Sequence, residues 1–291
     1  RLTRSIRVDL HDVVVTSGAR DGLRLVLAAQ DRTGRLAVED PGYPSLRHVP
    51  RVMGWTLQPV GTDAAGMSAS TSGETADILL VTPNHQFPTG TQMPAARRFA
   101  LLEAARRTGA LLIEDDYDSE LRSTHPPLRA LDTEGRVAML GSFAKTLTPA
   151  LSLGYLIVPP SLRERVAGLC LPVSGVVQDA MAHYMEAGGL RRHTARMRRE
   201  YRSRREAFVR LFPEGVPMEG GLHAIVPLRA GSDEQSVVAR CRARGLAVEG
   251  MAGYWSARRP HTSGIVLGLG TGSLERLRER LAVLRSTVDE S

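Results

Sequence analysis

The sequence predicts an α/β protein with a mainly parallel sheet of roughly seven strands, flanked by helices and followed by a smaller C-terminal α+β lobe. Short β-rich runs alternate with segments of helical apolar spacing up to about residue 160, a pattern typical of parallel sheets. Long helical segments with few strands follow. With 291 residues, 42% of them hydrophobic, the chain has enough apolar material for a sizeable core. We expect a large domain over residues 1–188, then a long linking helix and a small domain over residues 189–291.

The elements of the large domain follow from where the apolar runs start and stop. Each predicted strand is a short aliphatic or β-branched run that ends at proline, glycine or polar residues. The seven strands are expected at 13–16, 35–39, 55–60, 77–82, 110–114, 137–141 and 153–158. One helix is predicted after Ser17-Gly18 and a second at 45–52. A third should run from Pro94 to about Thr108, where Gly109 ends it.

The C-terminal part is predicted to be mostly helical. Helical segments are expected at about 161–169, 176–186 and 190–211. Strands near 224–227 and 265–269, with a closing helix after an N-cap-like Ser273, complete the small domain.

Several classes of protein are disfavoured by the same sequence. No apolar stretch is long enough to span a bilayer, and the N-terminal residues lack the apolar core of a signal peptide. Cys170 and Cys241 have no CxxC spacing, and the histidines show no ligand spacing, so neither a disulfide framework nor a metal site is expected. A cytoplasmic protein without membrane contact is the expectation.

The chain contains a single lysine. Of its 38 Lys and Arg residues, 37 are arginines and one is Lys145. Arginine replaces lysine where only charge is needed, but a guanidinium does not supply a neutral amine. Lys145 is therefore a candidate for a position where a primary amine is indispensable.

Four polar motifs follow strand ends, at the sheet edge where α/β proteins bind ligands. Lys145 can condense with an aldehyde to a Schiff base, and Ser142 precedes it by three residues. Gly18 and Ala19 open a helix, as phosphate cradles do. Asp115 can pair with a protonated ring nitrogen, and Tyr43 offers a flat face to a ring. Singly these are weak signals, since S-x-x-K also occurs in Ser/Lys acyl-transfer sites and the others are common caps and turns. Jointly they favour pyridoxal phosphate.

Five longer segments make the assignment of a pyridoxal-phosphate site more specific. They are Val14-Val15-Thr16-Ser17-Gly18-Ala19, Val38-Glu39-Asp40-Pro41-Gly42-Tyr43-Pro44, Thr82-Pro83-Asn84-His85-Gln86-Phe87-Pro88-Thr89-Gly90, Glu114-Asp115-Asp116-Tyr117-Asp118-Ser119-Glu120 and Gly141-Ser142-Phe143-Ala144-Lys145-Thr146-Leu147. With them the chain resembles fold-type I pyridoxal-phosphate proteins of the class I/II aminotransferase group. More closely, it resembles the aminotransferase-like domain of MocR-type regulators in the GntR superfamily.

The resemblance implies a role for each matching residue. Lys145 would carry the cofactor and Asp115 would pair with its pyridine nitrogen. Tyr43 would stack on the ring, and Tyr117 would lie near the ring oxygen. The phosphate would be held by Gly18, Ala19 and Ser142.

Three positions depart from ordinary aminotransferases. Seven residues after the lysine, Ser152 stands where the family has a phosphate-binding arginine, and Val266 stands where enzymes bind the substrate carboxylate with an arginine. Phe87, the usual MocR form, replaces an asparagine that bonds the ring hydroxyl. Losing one charge-assisted hydrogen bond to phosphate costs roughly 1.5–3 kcal/mol, so weakened cofactor retention and poor or absent transamination are expected.

The partners expected from the resemblance are a small amino compound and a second copy of the chain. MocR regulators bind DNA through an N-terminal winged helix-turn-helix, which is expected to be missing here together with the N-terminal arm. DNA contact is therefore expected only through that missing domain. The arginine-rich segment 190–211 is interpreted as a solvated helix joining the lobes in preference to a DNA surface, since aromatic residues do not interleave with its arginines.

Two hypotheses remain after these observations, with a weaker third. One is an effector domain that senses pyridoxal phosphate, or an amino compound that reacts with it at Lys145. The alternative is a working pyridoxal-phosphate aminotransferase, and the third is a degenerate domain without the cofactor. Ser152, Val266 and Phe87 favour sensing.

Overall fold

The computed structural model describes residues 6, 8–68, 76–121, 125–218, 222–256 and 262–290. The chain divides into two compact units. The first comprises Arg1–Gln86 and Thr91–Thr194, and the second comprises Phe87–Gly90 and Ala195–Ser291. Among the described residues, no helix combines the length and the apolar character that crossing a membrane requires.

The first unit is built on an eight-stranded sheet in the order β1-β8-β7-β6-β5-β2-β3-β4. Its strands are β1 (Val13–Thr16), β2 (Arg35–Asp40), β3 (Thr56–Asp63), β4 (Gly66–Met67), β5 (Ile78–Val81), β6 (Leu111–Asp116), β7 (Val137–Ser142) and β8 (Gly154–Ile157). Strands β3, β2, β5, β6 and β7 pair in parallel, while β8 is antiparallel to both β7 and β1. The mainly parallel sheet and its seven predicted strands are confirmed. The short β4, antiparallel to β3, is the eighth.

Helices cover both faces of this sheet. They are α1 (Ala19–Ala28), α2 (Pro44–Val52), α3 (Ala95–Thr108), α4 (Leu128–Leu131), α5 (Arg163–Leu169) and α6 (Gly175–Glu186). A further helix, α7 (Gly189–Leu211), begins in this unit and continues into the second. Along β5, Ile78 and Leu80 join one core cluster with residues of α1 and α2, while Leu79 and Val81 join another with residues of α3. This alternation is what a strand buried on both faces requires. The predicted stop of α3 at Gly109 is also observed, with Gly109 at a φ of 76°.

The second unit contains a smaller antiparallel sheet in the order β11-β12-β10-β9. Its elements are β9 (Val216–Pro217), β10 (His223–Pro227), α8 (Glu234–Ala243), β11 (Glu249–Gly250), β12 (Gly264–Gly268) and α9 (Leu274–Asp289). Ser273 caps α9 as predicted, its hydroxyl accepting from the Arg276 amide at 3.2 Å. Phe208 and Phe212 are buried with Leu277 and Leu281 of α9 in the core of this unit.

Candidate functional site

Predicted site residues lie at one edge of the large sheet, where strands β1, β6 and β7 end. The strand register places Thr16 opposite Gly154 and Gly154 opposite Ser142, so these residues form one row across β1, β8 and β7. Strands in a sheet lie about 4.8 Å apart, which separates Thr16 from Ser142 by about 10 Å. On the other side of β7, Gly141 lies opposite Asp116. The loops after β1, β6 and β7 therefore open on the same edge.

Gly154 allows the start of α1 to approach this edge closely. A Cβ at Gly154 would lie 2.5 Å from the Gly141 carbonyl oxygen and 2.8 Å from Gly18 Cα. Gly18 itself has a φ of 101°, which an L-residue rarely adopts, and open space where its Cβ would be. It occupies the N-cap position of α1 without a side-chain cap, so residue 18 does not cap the first amides of the helix beginning at Ala19, and we call this helix start the anion cradle.

Lys145 and Ser142 lie at the carboxyl end of β7. Ser142 is buried, and its Oγ accepts a hydrogen bond from the Ala144 amide at 3.1 Å. The chain then turns, with the Leu147 amide donating to the Phe143 carbonyl at 2.8 Å. Lys145 is exposed within this turn, so its amine is accessible.

Asp115 near the end of β6 is a buried carboxyl group with an unsatisfied oxygen. Only 5% of the residue is exposed, and its Oδ1 has no hydrogen-bond partner among the described residues. Burial, followed by the nearby Asp116, Asp118, Glu39 and Glu114, raises the pKa of Asp115 to about 8. An unsatisfied buried acid is costly. A cationic N–H donor at this position would satisfy the oxygen and lower the pKa.

Two neighbouring acids are buried as deeply but have partners. Glu39 accepts from the Thr82 amide at 3.2 Å and from its hydroxyl, and burial raises the pKa of Glu39 to about 7. Glu114 accepts from the Leu128 and Arg129 amides at 3.0 Å, and burial again raises its pKa to about 7. Asp115 differs from both because its Oδ1 has no hydrogen-bond partner among the described residues.

Tyr117 is held by a pair of residues to which the sequence alone assigns no role. Its hydroxyl donates to the His85 carbonyl at 2.9 Å, and the two rings stack with centroids 5.8 Å apart. His85 Nδ1 lies 2.5 Å from Asp118 Oδ2, with both side chains fully buried. Both residues lie inside the motif segments given above, but nothing in the sequence indicates that they pair.

Tyr43 is 39% exposed at the N-cap position of α2. The loop before it is fixed by Arg47, which donates to the Glu39 carbonyl and to Asp40 Oδ1, the latter at 3.2 Å. Gln86 adds a hydrogen bond from Nε2 to the Pro41 carbonyl at 2.6 Å. The ring of Tyr43 is therefore carried on an anchored loop and is partly exposed.

The three departures from the aminotransferase pattern lie in different surroundings. Ser152 is exposed, has a φ of 44°, and precedes Gly154 by two residues. Val266 is 5% exposed on β12, opposite Ile225. Phe87 belongs to the second unit, where its ring centroid lies 4.3 Å from that of His223 and 5.3 Å from that of Tyr254.

A sequence profile of class I and II aminotransferases matches residues 3–253. The chain belongs to the class I and II aminotransferase family. This aminotransferase-family chain also has the fold of solved enzymes. The crystal structure of Pyrococcus horikoshii kynurenine aminotransferase superposes with a TM-score of 0.84 at 25% identity, over 96% of this chain and 75% of that one.

The aminotransferase-family chain is similar over nearly its whole length to transcriptional regulators. It is 40% identical over 300 residues to the HTH-type pyridoxine biosynthesis transcriptional regulator PdxR of Corynebacterium glutamicum, covering 99% of this chain and 65% of that protein. It is 27% identical to the probable rhizopine catabolism regulatory protein MocR of Rhizobium meliloti, covering 98% of this chain and 61% of that protein. The resemblance to MocR-type regulators is confirmed, and the chain spans less than two thirds of the length of either relative.

The family generally uses pyridoxal phosphate, and the residues at this sheet edge fit that group. The unsatisfied Oδ1 of Asp115 matches a protonated ring nitrogen. The open cradle at Gly18 matches a phosphate, and the exposed amine of Lys145 matches an aldehyde.

Proposed function

We propose that this chain is the effector domain of a MocR-type regulator and that it binds pyridoxal phosphate at the edge where β1, β6 and β7 end. The observation that carries the proposal is the position of the only lysine of the chain. Lys145 is exposed beside Ser142, on the edge where Asp115 has an unsatisfied carboxylate oxygen. A lysine placed without regard to this chemistry has little chance of lying there.

Each residue has a separate task in this proposal. Bound pyridoxal phosphate supplies an aldehyde for amines and an electron-withdrawing ring. Lys145 provides the attachment amine, and Asp115 holds a proton on the ring nitrogen. Tyr43 stacks on the ring and excludes water from one face. Tyr117 would line the site near the ring oxygen.

The phosphate end depends on neutral donors. Gly18, Ala19 and Ser142 would hold it through backbone amides, a hydroxyl and the positive end of α1. Ser152 adds no charge to this group. We infer weaker phosphate binding than in a site with an arginine there.

Sensing is favoured over turnover by what the chain lacks. Val266 cannot pair with a substrate carboxylate, and Phe87 cannot hydrogen-bond a ring hydroxyl. The ligand would be pyridoxal phosphate itself or an amino compound that competes with Lys145 for the aldehyde. The second candidate is an active aminotransferase, which the retained Lys145 and Asp115 and the fold of a solved enzyme favour.

The wider assembly is part of the same proposal. The PdxR and MocR relatives are regulators, the first of them HTH-type, and this chain spans 65% and 61% of their lengths. We propose that the full protein binds DNA through an upstream domain of that type, that the effector domain forms homodimers, and that the protein is cytoplasmic.

The test uses the fact that the chain has one lysine. The protein is mixed with pyridoxal phosphate, its visible absorption is recorded, and borohydride reduction is followed by peptide mass spectrometry. We expect a visible band and a phosphopyridoxyl group on the peptide that contains Lys145. The Lys145→Arg variant, which keeps the charge, is the matched control and should show neither.

Two outcomes would overturn the proposal. Absence of the band at high pyridoxal phosphate leaves only a degenerate domain. Labelling confined to the N-terminal amine would show that Lys145 is not the attachment site. If the band forms, incubation with a panel of amines separates the two candidates: a sensor exchanges amines without yielding keto product, whereas an aminotransferase yields it at every cycle.

A further inference from the structure

The positive charge of the chain is concentrated in one helix. The chain has 38 basic and 31 acidic residues, which gives its formal net charge of +7. Helix α7 (Gly189–Leu211) contains nine arginines and two glutamates, a net charge of +7 by itself. Without them, 29 basic and 29 acidic residues remain and cancel. The rest of the chain is therefore neutral.

The arginines of α7 are arranged on one side of the helix. Eight are exposed, and we call them the arginine face: Arg191, Arg192, Arg196, Arg198, Arg199, Arg202, Arg205 and Arg210. At 3.6 residues per turn they occupy about half of the circumference and extend over about 28 Å. The ninth, Arg204, lies on the opposite side with the buried Tyr201 and Phe208. It donates to the Leu269 carbonyl at 2.9 Å and pairs with Glu200.

Four arginines elsewhere in the chain, two of them exposed, are paired with acids, whereas others such as Arg51 and Arg107 have no ion pair to a described residue. The N···O distances are 2.9 Å for Arg24–Asp21, 2.7 Å for Arg106–Glu103, 3.1 Å for Arg136–Glu134 and 2.8 Å for Arg244–Glu290. On the arginine face, five side chains have no ion pair or hydrogen bond to any residue that the structure describes: Arg191, Arg199, Arg202, Arg205 and Arg210. Their guanidinium groups are free to bind an external polyanion.

The shape and chemistry of this face favour duplex DNA over other polyanions. Phosphates along one DNA strand repeat every 3.4 Å, so about 28 Å of helix matches roughly eight base pairs. The tyrosine and the phenylalanine of α7 are buried, so neither ring is available to stack single-stranded bases. The exposed half also lacks the large apolar residues, apart from Val209, that a membrane-surface helix would insert.

We propose that the arginine face of α7 binds the phosphodiester backbone of duplex DNA without reading its sequence. The choice of DNA rests on the proposed function, since an effector domain of a DNA-bound regulator lies near DNA. Such a contact would add to that of the upstream domain, and it would make affinity for the operator more salt-dependent.

The experiment compares two variants of equal net charge. Arg191, Arg199, Arg202 and Arg205 are replaced by glutamine in the face variant, and the four paired residues Arg24, Arg106, Arg136 and Arg244 are replaced in the control. Binding of this chain to a labelled duplex of about 30 base pairs and arbitrary sequence is followed by fluorescence anisotropy as salt rises from about 50 to 200 mM. We expect a Kd of about 10⁻⁴–10⁻⁶ M for the unmodified chain near physiological salt.

The face variant should bind at least about tenfold more weakly, and the slope of log K against log salt should be shallower by about three to four. The control should remain within about twofold, because its arginines are already neutralised. Equal loss in both variants would mean that net charge alone acts, and would overturn the proposal. Heparin, single-stranded RNA or anionic vesicles binding more tightly than duplex DNA would overturn the choice of DNA.

The same variants keep this proposal separate from the proposed function. Borohydride labelling of Lys145 should be unchanged in both, which also shows that they fold. DNA binding without Lys145 labelling would refute the cofactor proposal and leave the DNA proposal intact. Labelling of Lys145 without DNA binding would refute the DNA proposal and leave the cofactor proposal intact.

Discussion

The replacement Ser152→Arg addresses how tightly the proposed site holds the phosphate of its cofactor. Ser152 lies two residues before Gly154, whose backbone packs directly against Gly18 in the anion cradle of α1. Two extended residues span at most about 7 Å, so a long side chain at position 152 reaches the cradle. The residue is exposed and already has a φ of 44° as an L-residue. Arginine therefore introduces little new backbone strain or crowding.

The expected gain follows from the hydrogen bond that such an arginine adds. A charge-assisted bond to a phosphate contributes about 1.5–3 kcal/mol, which corresponds to roughly a 10- to 150-fold lower Kd. Because position 152 is exposed, solvent screens part of this energy. The lower end applies, so we expect about tenfold tighter binding of pyridoxal phosphate, and a smaller gain at high salt.

The assay is an absorbance titration with pyridoxal phosphate at low and high salt, supported by equilibrium dialysis. Ser152→Gln is the matched control, because glutamine is also long and polar but uncharged. If the arginine variant binds no more tightly than the glutamine variant, or if its gain does not shrink with salt, the phosphate is not near position 152. In that case the reasoning from Gly154 and Gly18 is wrong.

The remaining predictions concern Asp115 and two glycines. The pKa of Asp115 is about 8 in the folded chain and 3.8 ordinarily, so unfolding releases a proton from this carboxyl group between these pH values. The contribution of Asp115 to the free energy of unfolding is therefore complete below about pH 4 and is lost as the pH rises through 8. In the cofactor-free chain, Asp115→Asn should therefore raise the Tm above that of the parent, and by more at pH 9 than at pH 5. Thermal melts in which the Tm of variant and parent change in parallel with pH would contradict this. Gly154→Ala should destabilise the chain by about 1–3 kcal/mol in denaturant unfolding, because its Cβ would meet backbone atoms that cannot move aside. Its control Gly168→Ala, in open space on helix α5, should be stabilising by about 0.5–1 kcal/mol, and similar losses in both would refute the steric argument.

The strands of the large sheet were predictable because their signals are local. Each of the seven is a continuous apolar run with its own stop, and the site motifs follow those stops directly. Strands β4, β9 and β11 have two residues each, too few for any periodicity. Helix α8 was also missed, although Asp233 caps it, accepting from the Gln235 amide at 3.1 Å.

The parts of the site that could not be predicted depend on contacts between distant residues. His85 and Asp118 are 33 positions apart, and only the folded chain brings Nδ1 and Oδ2 together. The assignment of Phe87 to the second unit rests on His223 and Tyr254, more than 130 residues further along. A motif shows that a residue type is present, but it does not show what the residue packs against.

The two ends of the proposed site differ in a way that suits a sensor. At the ring end, the unsatisfied Oδ1 of Asp115 among other buried acids would attract a protonated ring nitrogen. At the phosphate end, Ser152 adds no positive charge, so neutral donors alone would hold the phosphate. A ligand-responsive regulator needs a Kd close to the ligand concentration in the cell, since a much lower Kd keeps it saturated. A catalyst has the opposite need, because a lost cofactor ends turnover. The lack of an arginine at position 152 is thus a defect for an enzyme. For a sensor it sets the range of pyridoxal phosphate concentrations over which the domain responds. Ser152→Arg should shift that range to lower concentrations.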